Sequence, residues 1–213
     1  MGTDLIPILN HSLPFEGRSW AEIVAAIQPR LDALELEKPG GILALLLEQP
    51  TSGPPPLALP SRNTRWHPVA DYLPVPDFDT DDNPQKSIRF DGPGGLSLRF
   101  DKYRIESLSP PYRYQQWFDL RYSDGTDATA LRDHWRRYLR QVAQAFGGNR
   151  ALYLADNAHP LTPYWLHEKS VAATEQQMRQ ELGEPRRTFE EVYEAEEKEA
   201  ATSYFVDYFL DLK

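Results

Sequence analysis

The chain has 213 residues, of which 40% are hydrophobic and 12% aromatic, and this is enough for one substantial domain with its own core. It contains no cysteine, which excludes disulfides, thiolate metal sites and a cysteine nucleophile. Its formal net charge of −9 makes nucleic acid an unfavourable partner and favours a basic protein, because opposite potentials steer two molecules together. The sequence contains no apolar run of about 18 residues, so it predicts no membrane span. The first residues also lack the pattern of a secretory signal, and we therefore expect a cytoplasmic protein.

The N-terminal segment predicts a strand followed by a helix. Leu5–Leu9 is an apolar run that contains Pro7, and because proline cannot donate a hydrogen bond to a neighbouring strand, we expect an edge strand. Ser19 and Glu22 have the spacing of a capping box, and apolar residues recur at helical intervals after them. Pro29 falls inside this pattern and predicts a kink or a break in the helix.

The next segment combines a strand with a long loop. Residues 42–47 form an apolar run after two glycines, which predicts a strand buried on both faces. Residues 49–85 begin with a proline-rich stretch and end with an acidic one. They also contain Trp66, Tyr72 and Phe78, and these aromatic residues favour a loop packed on the domain over a disordered linker.

Residues 86–122 predict an antiparallel meander, because apolar and polar residues alternate as they do in half-exposed strands. The predicted strands are 87–90, 96–100, 103–108 and 112–122. The glycines at 92, 94 and 95 also resemble the glycine-rich part of a phosphate-binding loop. No lysine followed by serine or threonine comes after them and no helix follows, so we interpret them as a hairpin turn.

The clearest unit of the sequence is a helix followed by a buried strand. Apolar residues at helical spacing, among them Trp135 and Phe146, predict one face that packs against the core. Gly147 and Gly148 predict the end of this helix. The apolar run 151–155 then has the length of a buried strand, which we expect to lie centrally in the sheet.

Beyond Pro160 the sequence predicts helices. Residues 171–182 form one, and Gly183 follows as its stop. A capping box at Thr188 opens an aromatic pattern that predicts one long helix over 189–209. The elements together predict a single domain over 1–213, of α+β or mixed α/β class. It has a mixed, largely antiparallel sheet, helices packed on that sheet, and a helical C-terminus.

This C-terminal segment carries most of the excess negative charge. On one helix, Glu190, Glu194, Glu197 and Asp207 would form an acidic face, and we predict that this face attracts a basic partner protein. A solvated face without a partner is the simpler alternative. The glutamates lack the Glu-x-x-His spacing of di-iron bundles, and the histidines lack the helical zinc spacing, so we expect no metal and no cofactor.

A second candidate site follows the predicted strand 151–155. Asp156, Asn157 and His159 lie in the loop after that strand, a position where α/β folds bind ligands, so they form an alternative ligand or catalytic site. The simpler interpretation is that Asp156 and Asn157 cap a turn before Pro160.

Four arginines lie on the polar side of the predicted helix that precedes strand 151–155, at positions 132, 136, 137 and 140. They would form a basic patch, but nucleic-acid binding favours a positive domain and this one is negative. We therefore expect these arginines to pair with the acidic tail of the same chain.

Function has to be inferred from overall character, because no Gly-x-Ser-x-Gly elbow or other catalytic motif is present. A compact, acidic, cysteine-free chain with aromatic strands and long loops resembles the cytoplasmic immunity proteins that bacteria make against their own secreted toxins. This resemblance implies a protein that neutralises a toxin by direct binding rather than an enzyme. Two alternatives stay open: an enzyme with its site after strand 151–155, and a structural subunit of a larger assembly.

Overall fold

The computed structural model describes residues 5–34, 65–69, 87–93, 96–109, 126–155, 169–193 and 203–209, which form seven strands and four helices. The strands are β1 (Leu5–Leu9), β2 (His67–Pro68), β3 (Ser87–Asp91), β4 (Ser97–Asp101), β5 (Ile105–Ser109), β6 (Arg150–Ala155) and β7 (Tyr204–Tyr208). The helices are α1 (Trp20–Asp32), α2 (Thr126–Ala145), α3 (Val171–Leu182) and α4 (Glu190–Tyr193).

The strands form one open sheet in the order β2-β3-β4-β5-β1-β6-β7, and every pairing among the described strands is antiparallel. This confirms the predicted α+β class and the largely antiparallel sheet. The meander is also confirmed for its first three strands, since β3, β4 and β5 are neighbours in chain order. The N–H of Gly92 donates to the carbonyl of Leu96 at 2.8 Å and closes the turn between β3 and β4. The predicted strands 42–47 and 112–122 and most of loop 49–85 lie outside the described residues.

β1 is an interior strand, so the expectation of an edge strand is wrong. It lies between β5 and β6 and pairs with β6 along its full length, with Pro7 opposite Tyr153. Pairing with β5 begins only at Ile8, so Pro7 lies in the part of β1 where β6 is its one neighbour among the described strands. A strand paired over only part of one side can hold a proline without losing a hydrogen bond of the ladder.

Helices cover both faces of the sheet, and the strand register determines which side chains each face carries. On the first, here called the α2 face, Trp135 packs edge-on against Tyr153 of β6 with ring centroids 6.0 Å apart. On the opposite α3 face, Arg150 of β6 contacts Glu175 of α3 at 3.0 Å. Because β6 and β7 are covered on both sides, their sequences are almost continuously apolar.

The start of α1 is built as its sequence predicts. The N–H of Glu22 donates to the hydroxyl of Ser19, and the Ser19 N–H donates to the Glu22 carboxylate at 2.8 Å, which completes the capping box. The predicted break at Pro29 is wrong, because α1 continues to Asp32. Pro29 is exposed and lies in the last turn, where a helix has few further hydrogen bonds to lose.

The end of α2 is a Schellman motif. Gly147 has a φ of +73°, its N–H donates to the carbonyl of Gln144 at 3.0 Å, and the N–H of Gly148 donates to that of Ala143 at 2.7 Å. A Cβ at Gly148 would overlap the backbone carbonyl of Asn10, so this glycine also permits close packing against the end of β1. The predicted stop is therefore confirmed, and β6 follows directly.

The C-terminal part of the chain differs most from expectation. The helix over 171–182 is confirmed as α3, and Gly183 follows it with a φ of +91°. The long helix predicted over 189–209 is wrong at its end, because 204–208 forms strand β7. A strand buried on both faces gives a short continuous apolar run, and this pattern does not distinguish it from a buried helix. No helix in the described parts of the chain is long and apolar enough to cross a membrane.

Candidate functional site

The connection between α3 and α4 passes around the edge of the sheet at β7, the last strand among those described. On the α3 face, the hydroxyl of Tyr204 donates to the carbonyl of Gly183 at 2.6 Å. The N–H of Arg186 then donates to the carbonyl of Tyr204 at 2.9 Å. On the α2 face, Phe189 packs against Tyr153 with ring centroids 4.8 Å apart. This connection covers the first residue of β7 and places α4 beside α2.

Beyond this connection, the polar side of α2 borders β7 with a row of arginines. Asp133, Arg136, Arg137 and Arg140 line a cleft of about 440 Å³, here called the arginine cleft. They lie on one side of α2 because residues three and four positions apart are neighbours on a helix surface. The cleft therefore concentrates three guanidinium groups against one carboxylate on its wall.

Asp207 of β7 contacts Arg136 of this cleft from the side of the sheet. Its Oδ2 atom is 3.0 Å from both Nε and Nη2 of Arg136, and its side chain is only 8% exposed. The Arg136 guanidinium also lies over the rings of Phe189 and Phe205, at 5.5 and 5.2 Å from their centroids. Burial opposes the charged form of Arg136, but the Asp207 carboxylate outweighs this and raises the Arg136 pKa. The pair fastens β7 to α2.

The outer arginines of the cleft are more accessible. Arg137 is exposed, and the Arg140 side chain is 45% exposed. The nearest distance from Arg140 to the Asp207 carboxylate is 3.9 Å, which is too long for a hydrogen bond. Arg140 lies over the ring of Phe209 at 5.2 Å, which limits where its guanidinium can point. Such a group can bind a carboxylate or a phosphate through two parallel hydrogen bonds.

The α3 face of β7 presents Tyr208. This residue is 46% exposed, and it is the one exposed large hydrophobic residue among those described. Its hydroxyl donates to Glu175, which also pairs with Arg150 at 3.0 Å and Arg179 at 3.1 Å. Burial raises the pKa of Glu175, but the hydrogen bond from Tyr208 and the two arginines outweigh it and lower the pKa overall. The phenol ring is held in place while one side of it faces solvent.

The structure separates the residues of the predicted acidic face. Asp207 lies in β7, so the premise that it shares a helical face with Glu190 is wrong. Glu190 is half-buried at the start of α4, and Glu194 and Glu197 lie outside the described residues. The expectation that the α2 arginines pair with the acidic tail is confirmed for Arg136, whose partner is Asp207.

The alternative ligand site cannot be placed, because Asp156, Asn157 and His159 lie outside the described residues. β6 ends at Ala155, directly before them, and it is paired on both sides but lies one strand from the edge. The role of Glu175 was missed by sequence reasoning, since a single glutamate on an amphipathic helix carries no local signal that it will be buried. Tyr208 was assigned to a helix core because its spacing from Tyr204 fits a helical turn.

A further group of charged side chains is buried in the sheet. Arg104 and Glu106 form a buried ion pair at 3.2 Å, and Arg99 joins it from the neighbouring strand. No group of three metal-binding side chains is placed to hold an ion in the described part of the chain. Comparison with protein-family models, with curated proteins and with solved structures gives no match.

Proposed function

We propose that the protein acts by binding another protein, in the manner of the immunity proteins that neutralise a bacterial toxin by direct contact. The observation that carries this proposal is the pair of exposed side chains at the end of β7, namely Tyr208 on the α3 face and Arg140 on the α2 face, here called the β7 rim. Arginine and tyrosine are enriched among the residues that dominate binding energy at protein interfaces. An exposed tyrosine and an exposed arginine on the two faces of one strand end are thus a suitable centre for a protein contact.

The hydrogen bonding of Tyr208 supports this role. Its hydroxyl is fixed by Glu175, and the Arg150 guanidinium lies over its ring at 5.4 Å from the centroid. A side chain that is already ordered loses little conformational entropy when a partner covers it, so more of the contact energy appears as affinity. The buried pair of Arg136 and Asp207 fixes β7 itself in the same way.

The overall charge supports a basic partner. A net charge of −9 attracts a cationic protein at a distance and raises the association rate, an effect screened over about 8 Å at physiological ionic strength. Glu190, Glu194 and Glu197 remain candidates for this steering role, which requires only that their charges be near the surface and not that they share one face with Asp207. A basic toxin would be a cationic partner of this kind.

Co-expression tests the proposal. Each protein encoded beside this gene is expressed in a bacterial host with and without the chain, and growth is recorded. A toxic neighbour that the chain neutralises is then purified, and its dissociation constant is measured by calorimetry. We expect a stable complex, with growth restored only when the chain is present. Restored growth without a detectable complex would overturn direct binding and favour an enzymatic or indirect mechanism.

Tyr208→Ala locates the contact. We expect it to weaken the complex by about 30-fold, the size of a typical hot-spot residue. Tyr103→Ala is the matched control, because Tyr103 is a half-buried tyrosine in the turn between β4 and β5, which β1 and β6 separate from β7 in the sheet. Both variants are first checked by urea denaturation so that only folded protein is compared. Equal affinities for the two variants would exclude the β7 rim as the contact.

A further inference from the structure

We propose that β7 pairs with β7 of a second copy of this chain, so that two sheets join edge to edge across a two-fold axis. This inference goes beyond the proposed function and does not depend on it. It concerns the backbone of β7, which is the last of the described strands on this side of the sheet. A strand in this position offers its outer N–H and C=O groups as a template for another strand.

The register shows which residues of β7 turn their backbone groups outward. Antiparallel strands alternate between residue pairs that exchange hydrogen bonds and pairs that do not. The N–H of Phe209 donates to the carbonyl of Asn149 at 2.7 Å, so Phe209 and, two residues earlier, Asp207 direct their backbone groups toward β6. Val206 and Tyr208 therefore direct theirs away from the sheet.

The chain itself already forms one rung on the outer side of β7. The N–H of Arg186 donates to the carbonyl of Tyr204 at 2.9 Å, as a residue of a neighbouring strand would. This bond agrees with the register, since Tyr204 lies two residues before Val206 and has the same orientation. Beyond it, no backbone partner is found for Val206 or Tyr208 on the outer side within the described part of the chain.

The exposure of β7 is that of a strand with an open edge. Residues 151–154 of the neighbouring β6 are 0% exposed, whereas residues 205–207 keep 7–8%. Tyr204, which the connection covers, is 1% exposed, and Tyr208 at the far end of the strand is 46% exposed. Exposure thus rises along β7 with distance from the connection, as expected if its outer side meets solvent there.

A second copy fits this edge because the open groups are self-complementary. A two-fold axis makes the two copies of β7 antiparallel and places the same surface on both sides. With Asp207 opposite Asp207 of the second copy, Val206 lies opposite Tyr208 of the second copy, and each such pair exchanges two backbone hydrogen bonds. This register needs only the open groups and leaves out Tyr204, whose outward carbonyl is occupied by Arg186.

The side chains suit the same register. On the α3 face, the exposed ring of Tyr208 lies beside Val206 of the second copy, and an aromatic residue opposite a β-branched one is a favourable cross-strand pair. On the α2 face, the two Asp207 carboxylates face each other, but each has Arg136 at 3.0 Å. Arg140 is 45% exposed and 3.9 Å from its own Asp207, so it can pair with the carboxylate of either copy. The two edges are thus complementary in charge.

β7 carries none of the features by which edge strands commonly avoid pairing, such as a lysine, a proline or a β-bulge. It reads Tyr-Phe-Val-Asp-Tyr over 204–208, its register with β6 is continuous, and its one charged residue is held by Arg136. The toxin of the proposed function would cover the same Tyr208. Pairing with a second copy therefore describes the chain before it meets that partner.

Sedimentation equilibrium of the full chain tests self-association. We expect the average mass to rise with concentration from that of one chain toward that of two. Tyr208→Lys places a charge of the kind that blocks sheet edges within the pairing, and it should weaken self-association by at least about tenfold. Tyr103→Lys is the matched control, since Tyr103 lies in the turn between β4 and β5. Urea denaturation first shows that both variants are folded.

Hydrogen–deuterium exchange of the unsubstituted chain locates the contact at single residues. Dilute and concentrated samples are compared. We expect the N–H groups of Val206 and Tyr208 to exchange at least about tenfold more slowly in the concentrated sample, because they gain a partner there. The N–H groups of Phe205 and Asp207 already face β6 and should change little. This alternation is expected of edge pairing and not of a contact made by side chains alone.

Four results would overturn the inference. These are the mass of one chain at every concentration, self-association that Tyr208→Lys leaves unchanged, a dimer without slower exchange at Val206 and Tyr208, and slow exchange of both residues in the dilute sample. The last would show that the chain itself covers the outer side of β7. None of these results bears on toxin binding, which the co-expression experiment decides separately.

Discussion

Replacing Asp207 with asparagine removes the negative charge that faces Arg136 while keeping the size of the side chain. Asp207 is 8% exposed and lies 3.0 Å from the Arg136 guanidinium, so the substitution leaves a partly buried cation opposite a neutral amide. We expect the free energy of unfolding to fall. If Asp207 instead belonged to a solvated acidic face, the substitution would leave stability unchanged.

The size of the loss follows from how much solvent Arg136 can still reach. Removing one partner of a fully buried ion pair costs about 3–5 kcal/mol, because the remaining charge is left without compensation. Arg136 is 24% exposed, it is 3.5 Å from Asp133, and it lies over two aromatic rings. These contacts reduce the penalty, so we expect about 1.5–3 kcal/mol, the range for a hydrogen bond to a charged group.

Asp133→Asn is the internal control, since it removes a carboxylate that faces the same guanidinium from the solvent side. Asp133 is 55% exposed, and exposed pairs contribute about 0–1 kcal/mol. Urea denaturation followed by circular dichroism gives both values by linear extrapolation, and the slope m should stay constant. The reasoning fails if Asp207→Asn lies within about 0.5 kcal/mol of wild type, or if Asp133→Asn costs as much.

Three further predictions use the same assay. Trp135→Ala should lower the free energy of unfolding by about 3–5 kcal/mol, because the indole is buried among aromatic rings, and an unchanged midpoint would place it at the surface. Burial lowers the pKa of His11 from 6.5, and its Nδ1 accepts the N–H of Leu13 at 3.0 Å. The unfolded chain therefore binds the proton more readily, so stability should fall as the pH drops below 6.5, and His11→Gln should flatten this slope. The Tyr138 hydroxyl has no hydrogen-bond partner in the described structure, so Tyr138→Phe should be neutral or stabilising, whereas Tyr204→Phe should cost about 0.5–1.5 kcal/mol.

The parts of the fold that could be predicted are those whose signals are local. The capping box of Ser19 and Glu22 fixes the start of α1 within four residues of sequence. The two glycines after Phe146 end α2 by the same kind of short-range bonding, because the carbonyls they satisfy belong to the preceding turn. Alternation in β3 and β4 also suffices, since the hairpin turn between them fixes the register.

The position of β1 could not be predicted, because strand order depends on residues far apart in the chain. Pro7 correctly signals a lost hydrogen-bond donor, but a missing donor is compatible with an edge strand or with a strand paired incompletely on one side. The second case holds because β5 meets β1 only from Ile8 onward. The same limit applies at Pro29. The sequence shows the local cost of a proline inside a helix, but it does not show that Pro29 lies in the last turn of α1.

The candidate site illustrates this limit most directly. The aromatic residues of 204–209 predict burial whether the segment is a helix or a strand, so their hydrophobicity does not distinguish the two. What distinguishes them is the side toward which Asp207 points. In a strand between α2 and α3, alternate residues face opposite helices, and Asp207 then meets Arg136, which is 71 residues away in sequence. The charge that seemed available for a basic partner is neutralised inside the protein. The arginine that stays accessible beside Asp207 is Arg140, whose side chain is 45% exposed, so the outer charge next to this carboxylate is positive.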